Sequence, residues 1–290
     1  MTDPSNKADD LESLDLRSLE AFRAIVSRLR KECPWDREQT HASLRPMLIE
    51  EAYETVESID QSIVTGDYTE LKKELGDLLL HILFHSDLAS EEGHFTLEDV
   101  IQAECEKLIY RHPHVFSTVE VEDAEHVSRN WEQLKRLEKG RNSILDGVPA
   151  SLPALQRSAR LQERAAKVGF DWPDSGSTNG APEGVWKKIR EEVLELENEL
   201  NWDSRSATRH QSVSPKEEEF GDLLFSLVNL ARHEKMDAEG ALRFAAEKFT
   251  RRFQSIEREV EASGRPFSDY TLEELDAIWD RVKKEKAISA

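Results

Sequence analysis

The chain has 290 residues, of which 38% are hydrophobic and 34% are charged, so it can build a core beneath a well-solvated surface. Its formal net charge of -20 argues against sequence-independent binding to nucleic acid, because an acidic surface repels the phosphate backbone. Two cysteines without a CxxC pair exclude a disulfide framework in practice, and no apolar run is long enough for a transmembrane helix. We therefore predict a cytoplasmic protein that binds neither nucleic acid nor membrane.

Apolar residues recur at helical spacing along almost the whole chain, which predicts an all-α fold. In the N-terminal half, the first stripe starts near Leu16 and is stopped by Cys33-Pro34-Trp35-Asp36. The helices predicted after it run over Ala42–Ile63, from Tyr68 to Glu91, from Thr96 to Arg111 and over Ala124–Lys139.

The C-terminal half follows the same plan. Two Pro and three Gly between Asp171 and Gly184 predict a loop there. The helices predicted around it are Leu152–Lys167, Val185–Leu200, Lys216–His233, Ala238–Ala262 and Leu272–Lys286.

Four blocks of the N-terminal half recur in the same order and at a nearly constant offset in the C-terminal half. We therefore predict two duplicated helical-bundle modules, residues 1–145 and 146–290, joined within Gly140–Pro153. The matching blocks are 50–54 with 191–195, 74–79 with 219–224, 106–111 with 247–252, and 131–135 with 279–283.

Each copy carries two carboxylate pairs with the spacing that places both members on one helix face. Two charges about 4 Å apart repel by roughly 4 kcal/mol at an effective dielectric near 20, so such a cluster must protonate, separate or bind cations. Ligands that are all oxygen predict Mg²⁺, with Mn²⁺ as the alternative. The predicted ligands are Glu192, Glu195, Glu219 and Asp222, with Glu51, Glu54, Glu74 and Asp77 as their N-terminal counterparts.

Basic residues follow the acids at a fixed place in each copy. Lys248 and Arg252 share a helix face, as do Lys107 and Arg111, and such pairs suit a polyphosphate. Glycine inside each acidic helix, at Gly76 and Gly221, predicts a close approach of another helix behind the ligands.

Other interpretations of these residues remain open. An isolated Glu-rich helix is usually a solvated face, but the duplicated combination with the basic pairs argues against that interpretation here. Trp131 and Trp279 could be core anchors or could stack on a base. For His81 and His85 we favour packing, since the second copy lacks them. A di-iron bundle would need Glu-x-x-His, which neither copy has. An acidic helical scaffold protein is the non-enzymatic alternative.

The ordered motifs resemble the MazG family of all-α nucleoside triphosphate pyrophosphohydrolases. The resemblance rests on Glu-Glu-x-x-Glu, Glu-x-x-Asp and Lys-x-x-x-Arg, and extends to residues 33–36, 111–116 and 168–172. It implies a homodimer that hydrolyses NTPs and dNTPs to the monophosphate and pyrophosphate with Mg²⁺, as in nucleotide-pool house-cleaning.

The resemblance also implies which residues contact the substrate. Glu191 and Glu192 are expected to be catalytic together with Lys248 and Arg252, and Glu191 or a neighbouring carboxylate to orient or deprotonate the attacking water. The substrate contacts implied in the C-terminal copy are Lys188, Ile189, Arg190, Glu191, Glu192, Pro215, Lys216, Glu217, Glu218, Lys248, Arg251, Arg252 and Trp279. Those implied in the N-terminal copy are Lys107, Arg111 and Trp131.

The two copies are unequal in their basic residues. Lys188 precedes Glu192 by one helical turn, whereas Met47 stands at the matching place before Glu51. Arg251 likewise corresponds to Tyr110. The C-terminal module therefore has the stronger set of phosphate-binding bases, and the resemblance to two-module members of the family implies that this module does most of the catalysis.

Overall fold

The computed structural model describes residues 15–119, 121, 123, 127, 143–172, 181–201 and 214–288. Every regular element in these ranges is a helix, which confirms the predicted all-α class. None of these helices is both long and apolar enough to cross a bilayer. The chain divides into two compact units, Met1–Leu137 and Glu138–Ala290. The helix predicted over Ala124–Lys139 lies almost wholly outside the described residues.

The four long described helices of the first unit begin and end within a few residues of the predicted bounds, and the two short helices Pro34–Glu38 and Pro113–Phe116 were not predicted. They are α1 (Leu19–Glu32), α2 (Pro34–Glu38), α3 (His41–Thr65), α4 (Thr69–Glu91), α5 (Leu97–Arg111) and α6 (Pro113–Phe116).

Local side-chain chemistry explains where these helices begin. Thr40 and Thr96 form capping boxes with Ser43 and Asp99, so the first backbone N–H groups of α3 and α5 find acceptors. Pro34 was predicted only to stop a helix, but it also starts the short α2. A proline at the first helical position loses no hydrogen bond, because that N–H has no partner within the helix.

The core of the first unit lies between α1, α3 and α4. Its buried residues are Val26, Leu44, Leu83, Phe84, Leu88 and Leu97. This cluster fixes α4 against α3, the two helices that carry the N-terminal acids.

The second unit contains α7 (Ala154–Ala166), α8 (Glu183–Asn201), α9 (Pro215–His233), α10 (Ala238–Ser263) and α11 (Leu272–Ile288). Val185 and Ile189 of α8 pack on Leu223 and Leu230 of α9, and α7 also packs on α9. A separate cluster of Ile256, Val260, Ile278 and Val282 joins α10 to α11.

The prediction of close helix approach at Gly76 and Gly221 is wrong. A Cβ added at either glycine would meet no described atom within 4 Å. Among the described residues, neither glycine therefore allows a close contact that would offset the cost of about 1 kcal/mol that glycine carries in a helix relative to alanine.

Candidate metal centre

The C-terminal acids meet across α8 and α9. One carboxylate oxygen of each of Glu192, Glu219 and Asp222 lies within 4.8 Å of the others. Glu192 is 3% exposed, so its charge is held away from water. Glu195 is exposed and one turn further along α8, yet it is near enough to raise the pKa of Glu219. The helices α8 and α9 run antiparallel. The Ala181 N–H, just before α8, donates to Glu234, just after α9, whereas Glu195 further along α8 lies near Glu219 in the first half of α9.

Mutual repulsion within this group is visible in the ionisation of Glu219. Partial desolvation raises the pKa of the Glu219 carboxyl, and the charges of Glu195, Glu192 and Asp222 raise it further. Carboxylates that oppose each other's ionisation suit a divalent cation, which would relieve the repulsion and supply the Lewis acid of a hydrolytic site. The described oxygens therefore fit a hard metal ion.

Among the described residues, Lys188 is the cation paired with these acids. Its Nζ is 2.7 Å from Glu192 Oε1 and 2.8 Å from Glu191 Oε1. These hydrogen bonds, first to Glu191 and then to Glu192, raise the pKa of Lys188, and the same contact lowers the pKa of Glu191. Lys188 was predicted to contact substrate, but here it is paired with the acids.

The N-terminal acids also meet, across α3 and α4, but with Glu54 in the group in place of Asp77, the counterpart of Asp222. Oxygens of Glu51, Glu54 and Glu74 lie within 4.8 Å of one another. Desolvation and then the charge of Asp77 raise the pKa of Glu51. Among the described residues no ion pair engages Glu51, and Met47 packs against the core.

The histidines beside the N-terminal acids pack with each other, as predicted. His81 is 7% exposed and stacks on His85, whose Nδ1 lies 2.7 Å from His41 Nδ1. Burial lowers the pKa of both His81 and His85, which favours their neutral forms.

A cavity of about 700 Å³ opens beside the C-terminal acids and includes Glu192 and Asp222 in its wall. Cavities of a few hundred Å³ with mostly apolar walls suit small-molecule ligands. The other side chains that matter most for its chemistry are apolar or aromatic (Leu161, Phe170, Trp172, Phe225) or polar (Gln162, Lys188, Asn229, Arg232).

An ion pair in the wall of the cavity joins two parts of the second unit. Arg232 Nη1 donates to Asp171 Oδ2 at 2.9 Å, and Nη2 donates to Asp171 Oδ1. Burial alone would raise the pKa of Asp171, but the hydrogen bond and charge of Arg232 outweigh it and hold the pKa below its usual value. The pair ties the Phe170–Trp172 segment to α9.

Sequence reasoning missed three polar residues of this cavity. Gln162 is 7% exposed and donates from Nε2 to the backbone oxygen of Phe225 at 2.8 Å. Asn229 and Arg232 lie on α9 after the acidic motif. None of them belongs to the duplicated blocks; the only hint was the 168–172 motif of the family resemblance.

The basic residues predicted on α10 do not line the cavity. Lys248 is exposed, and Arg251 Nε lies 3.7 Å from Glu247. The Arg252 guanidinium lies 5.4 Å from the ring centre of Trp279, which itself packs on the α10–α11 cluster. Their contact with substrate stays a prediction.

Several other predicted contacts of the C-terminal copy serve the fold. Ile189 is buried in the core, and Arg190 forms an ion pair with Glu183 at 2.5 Å. Glu217 caps α9 by accepting from the Ser214 N–H and hydroxyl groups, which lowers the pKa of Glu217. The remaining residues of that turn, Pro215, Lys216 and Glu218, lie beside the cap at the start of α9.

Two of the three substrate contacts predicted in the N-terminal copy lie in the described residues. Lys107 pairs with Glu104 on the exposed face of α5, and Arg111 ends that helix. Trp131 lies outside the described residues.

The raised pKa values predict how a metal ion changes thermal stability. A carboxyl whose pKa is higher in the folded than in the unfolded chain destabilises the fold once it ionises. The metal-free protein therefore gains stability as pH falls through the folded pKa. A divalent cation held by these acids needs their ionised form, so it should raise the Tm most at neutral pH and progressively less in mild acid. Thermal unfolding with Mg²⁺ and with chelator, across pH, measures this. A shift in Tm that is unchanged or grows in acid would contradict it.

These features define an all-α protein with duplicated carboxylate sites suited to a divalent cation, one of them beside a ligand-sized cavity. Residues 39–116 match the family model described as the MazG nucleotide pyrophosphohydrolase domain. That span contains the N-terminal acids.

Relatives extend the match to nearly the whole chain. The Thermotoga maritima nucleoside triphosphate pyrophosphohydrolase/pyrophosphatase MazG is 43% identical over 91% of this chain and 95% of its own length. The Escherichia coli K12 nucleoside triphosphate pyrophosphohydrolase is 40% identical over 93% of this chain and 99% of its own. Bacillus subtilis YabN, named as uncharacterized, is 42% identical over 94% of this chain and 53% of its own. The chain belongs to the MazG family.

Proposed function

We propose that this chain hydrolyses nucleoside triphosphates, ribo and deoxy, to the monophosphate and pyrophosphate in nucleotide-pool house-cleaning. Mg²⁺ is the proposed cofactor, with Mn²⁺ as the alternative. The observation that carries the proposal is the C-terminal carboxylate group, which forms part of the wall of a cavity with aromatic sides. Membership of the MazG family and the names of the relatives support it.

The cavity offers an aromatic part for the base of the nucleotide and an acidic part for its triphosphate. Phe170, Trp172 and Phe225 would offer flat apolar surfaces to the base, and Glu192 and Asp222 of the same cavity would help to hold the cation that neutralises the triphosphate. When bound, Mg²⁺ supplies charge neutralisation for the triphosphate and activation of the water.

The proposed chemistry at the chain's own atoms is a balanced hydrolysis. Glu191, exposed at the edge of the acids, orients a water and accepts its proton. The water oxygen forms a new bond to phosphorus as the bond from that phosphorus to the α–β bridging oxygen breaks. If the α-phosphorus is attacked, pyrophosphate leaves with the bridging oxygen. If the β-phosphorus is attacked, the monophosphate keeps the bridging oxygen and pyrophosphate carries the water oxygen. Lys248, Arg252 and Trp279 are the proposed contacts of the outer phosphates and the nucleoside from α10 and α11.

The C-terminal unit is the proposed main site of turnover. Its acids adjoin the cavity and a lysine, whereas the N-terminal acids have Met47 at the matching place. The two modules, with a boundary near residue 145, are proposed to be copies of one domain. The N-terminal copy then binds metal with a weaker or different activity.

A homodimer is the proposed assembly. Both acidic helices carry an exposed apolar stripe next to the glycine discussed above, and such a repeated surface suits an interface. The stripe residues are Leu75, Leu79 and Ile82 on α4, and Phe220, Leu224 and Leu227 on α9, each at least 36% exposed.

A panel of ribo- and deoxyribonucleoside triphosphates tests the proposal. With Mg²⁺ we expect equal amounts of monophosphate and pyrophosphate from the substrates that are turned over, and none with chelator. Release of orthophosphate alone would contradict the pyrophosphohydrolase assignment. Absence of metal-dependent turnover across the panel would favour the scaffold interpretation.

A further inference from the structure

The C-terminal carboxylate site already holds a positive charge that belongs to the chain. Lys188 Nζ is within hydrogen-bond distance of both Glu191 and Glu192, at 2.8 Å and 2.7 Å. The side chain of Glu192 is only 4% exposed. A carboxylate withdrawn from water needs a partner that neutralises it, and the lysine ammonium provides that partner.

The N-terminal site provides a comparison within the same molecule. Met47 stands one helical turn before Glu51, as Lys188 stands before Glu192. Met47 packs against the hydrophobic core, so it offers the acids neither charge nor hydrogen bond. Acids therefore meet across two helices in both copies, although the three that lie within 4.8 Å are not the same members of the set. A lysine is paired with them in the C-terminal copy, whereas among the described residues no ion pair engages Glu51.

We propose that Lys188 is an exchangeable counter-ion, which neutralises the C-terminal acids until a metal–triphosphate complex arrives and then moves to the phosphates. Because its ligand is a metal–triphosphate, this inference rests on the proposed function. On this proposal the C-terminal site has a low affinity for free metal ions and a higher affinity for a metal ion that enters together with the nucleotide.

The physical properties of lysine suit this exchange. The Lys188 side chain is 37% exposed, and its flexible stem can carry the ammonium to another partner. Charge stays balanced throughout, because the metal replaces the ammonium at the carboxylates and the ammonium neutralises part of the triphosphate charge. A free metal ion brings no phosphate, so it would leave the displaced ammonium without a partner.

Mn²⁺ binding without nucleotide, measured by electron paramagnetic resonance or calorimetry, tests the proposal. The full chain would carry Glu51→Gln and Glu54→Gln, so that the remaining signal comes from the C-terminal site. Lys188→Met, which copies the N-terminal copy, is expected to bind Mn²⁺ roughly three- to tenfold more tightly. It should bind the α,β-methylene analogue of ATP with Mn²⁺ about tenfold more weakly, because one phosphate contact is lost.

Lys187→Met is the matched control. It removes the same charge from the same turn of α8, but Lys187 is exposed and forms no ion pair with Glu192 among the described residues. Its Mn²⁺ affinity should stay within about twofold of the parent. Equal Mn²⁺ affinities for Lys188→Met and Lys187→Met, or weaker binding by Lys188→Met, would overturn the proposal.

The reciprocal change keeps the test decisive if Lys188→Met fails to fold. Met47→Lys, in a chain whose C-terminal site carries Glu219→Gln and Asp222→Asn, should weaken Mn²⁺ binding at the N-terminal acids; unchanged affinity would count against the proposal. These affinities are measured without hydrolysis, so they do not depend on turnover. If the wild-type chain released no pyrophosphate, the proposed function would be refuted, whereas the Mn²⁺ affinities would still decide the role of Lys188.

Discussion

Glu192→Gln is expected to lower the rate of pyrophosphate release by about 10²–10³-fold, the loss typical of removing one electrostatic group from a reacting centre. The amide has nearly the shape of the carboxylate but lacks its charge, so it cannot serve as an anionic ligand. Glu192 is the buried member of the C-terminal group, and its oxygen lies within 4.8 Å of those of Glu219 and Asp222. Steady-state pyrophosphate release at saturating Mg²⁺ measures the effect.

Glu51→Gln is the matched control for this variant, because it makes the same change at the same place of the N-terminal copy. We expect it to retain most of the wild-type rate, since the cavity and the adjacent lysine belong to the other unit. If Glu51→Gln abolished turnover while Glu192→Gln kept it, the assignment of the main catalytic module would be reversed.

Asp171→Ala is expected to reduce the free energy of unfolding of the second unit by about 2 kcal/mol, because it leaves a partly buried guanidinium without its carboxylate. The side chains of Arg232 and Asp171 are 15% and 23% exposed. The change should also raise the KM for nucleotide, since Asp171 ties the segment with Phe170 and Trp172 to α9. Urea denaturation followed by circular dichroism measures the first effect.

Arg160→Ala provides the control for stability. Arg160 pairs with Glu163 in the same unit, but the two side chains are 59% and 41% exposed, so the expected cost is within about 0.5 kcal/mol. An Asp171→Ala variant no less stable than Arg160→Ala would show that the Asp171–Arg232 pair does not hold the cavity wall.

The helices could be predicted because their signals are local. Apolar periodicity, the Thr96–Asp99 capping box and the prolines act within a few residues, and the described helices follow them. Close approach at Gly76 could not be predicted in the same way. Glycine spacing does not say which neighbour covers a helix face, and among the described residues nothing covers this one.

The acidic groups could be predicted because the spacing of each pair and the duplication both lie in the sequence. Three of the four predicted acids in each copy meet within 4.8 Å, and the fourth is close enough to raise a neighbour's pKa. What could not be predicted depends on distant parts of the chain. Gln162 reaches Phe225 from α7, and Arg232 reaches Asp171 across a long separation in sequence.

The central claim is that the C-terminal acids cleave the α–β linkage of a nucleoside triphosphate. The most direct measurement incubates ATP labelled at the γ-phosphate with Mg²⁺ and separates the labelled products, with Glu192→Gln as the blank. We predict that the label leaves as pyrophosphate with wild type and stays in ATP with the variant. Label in orthophosphate, or equal pyrophosphate from both proteins, would contradict the account.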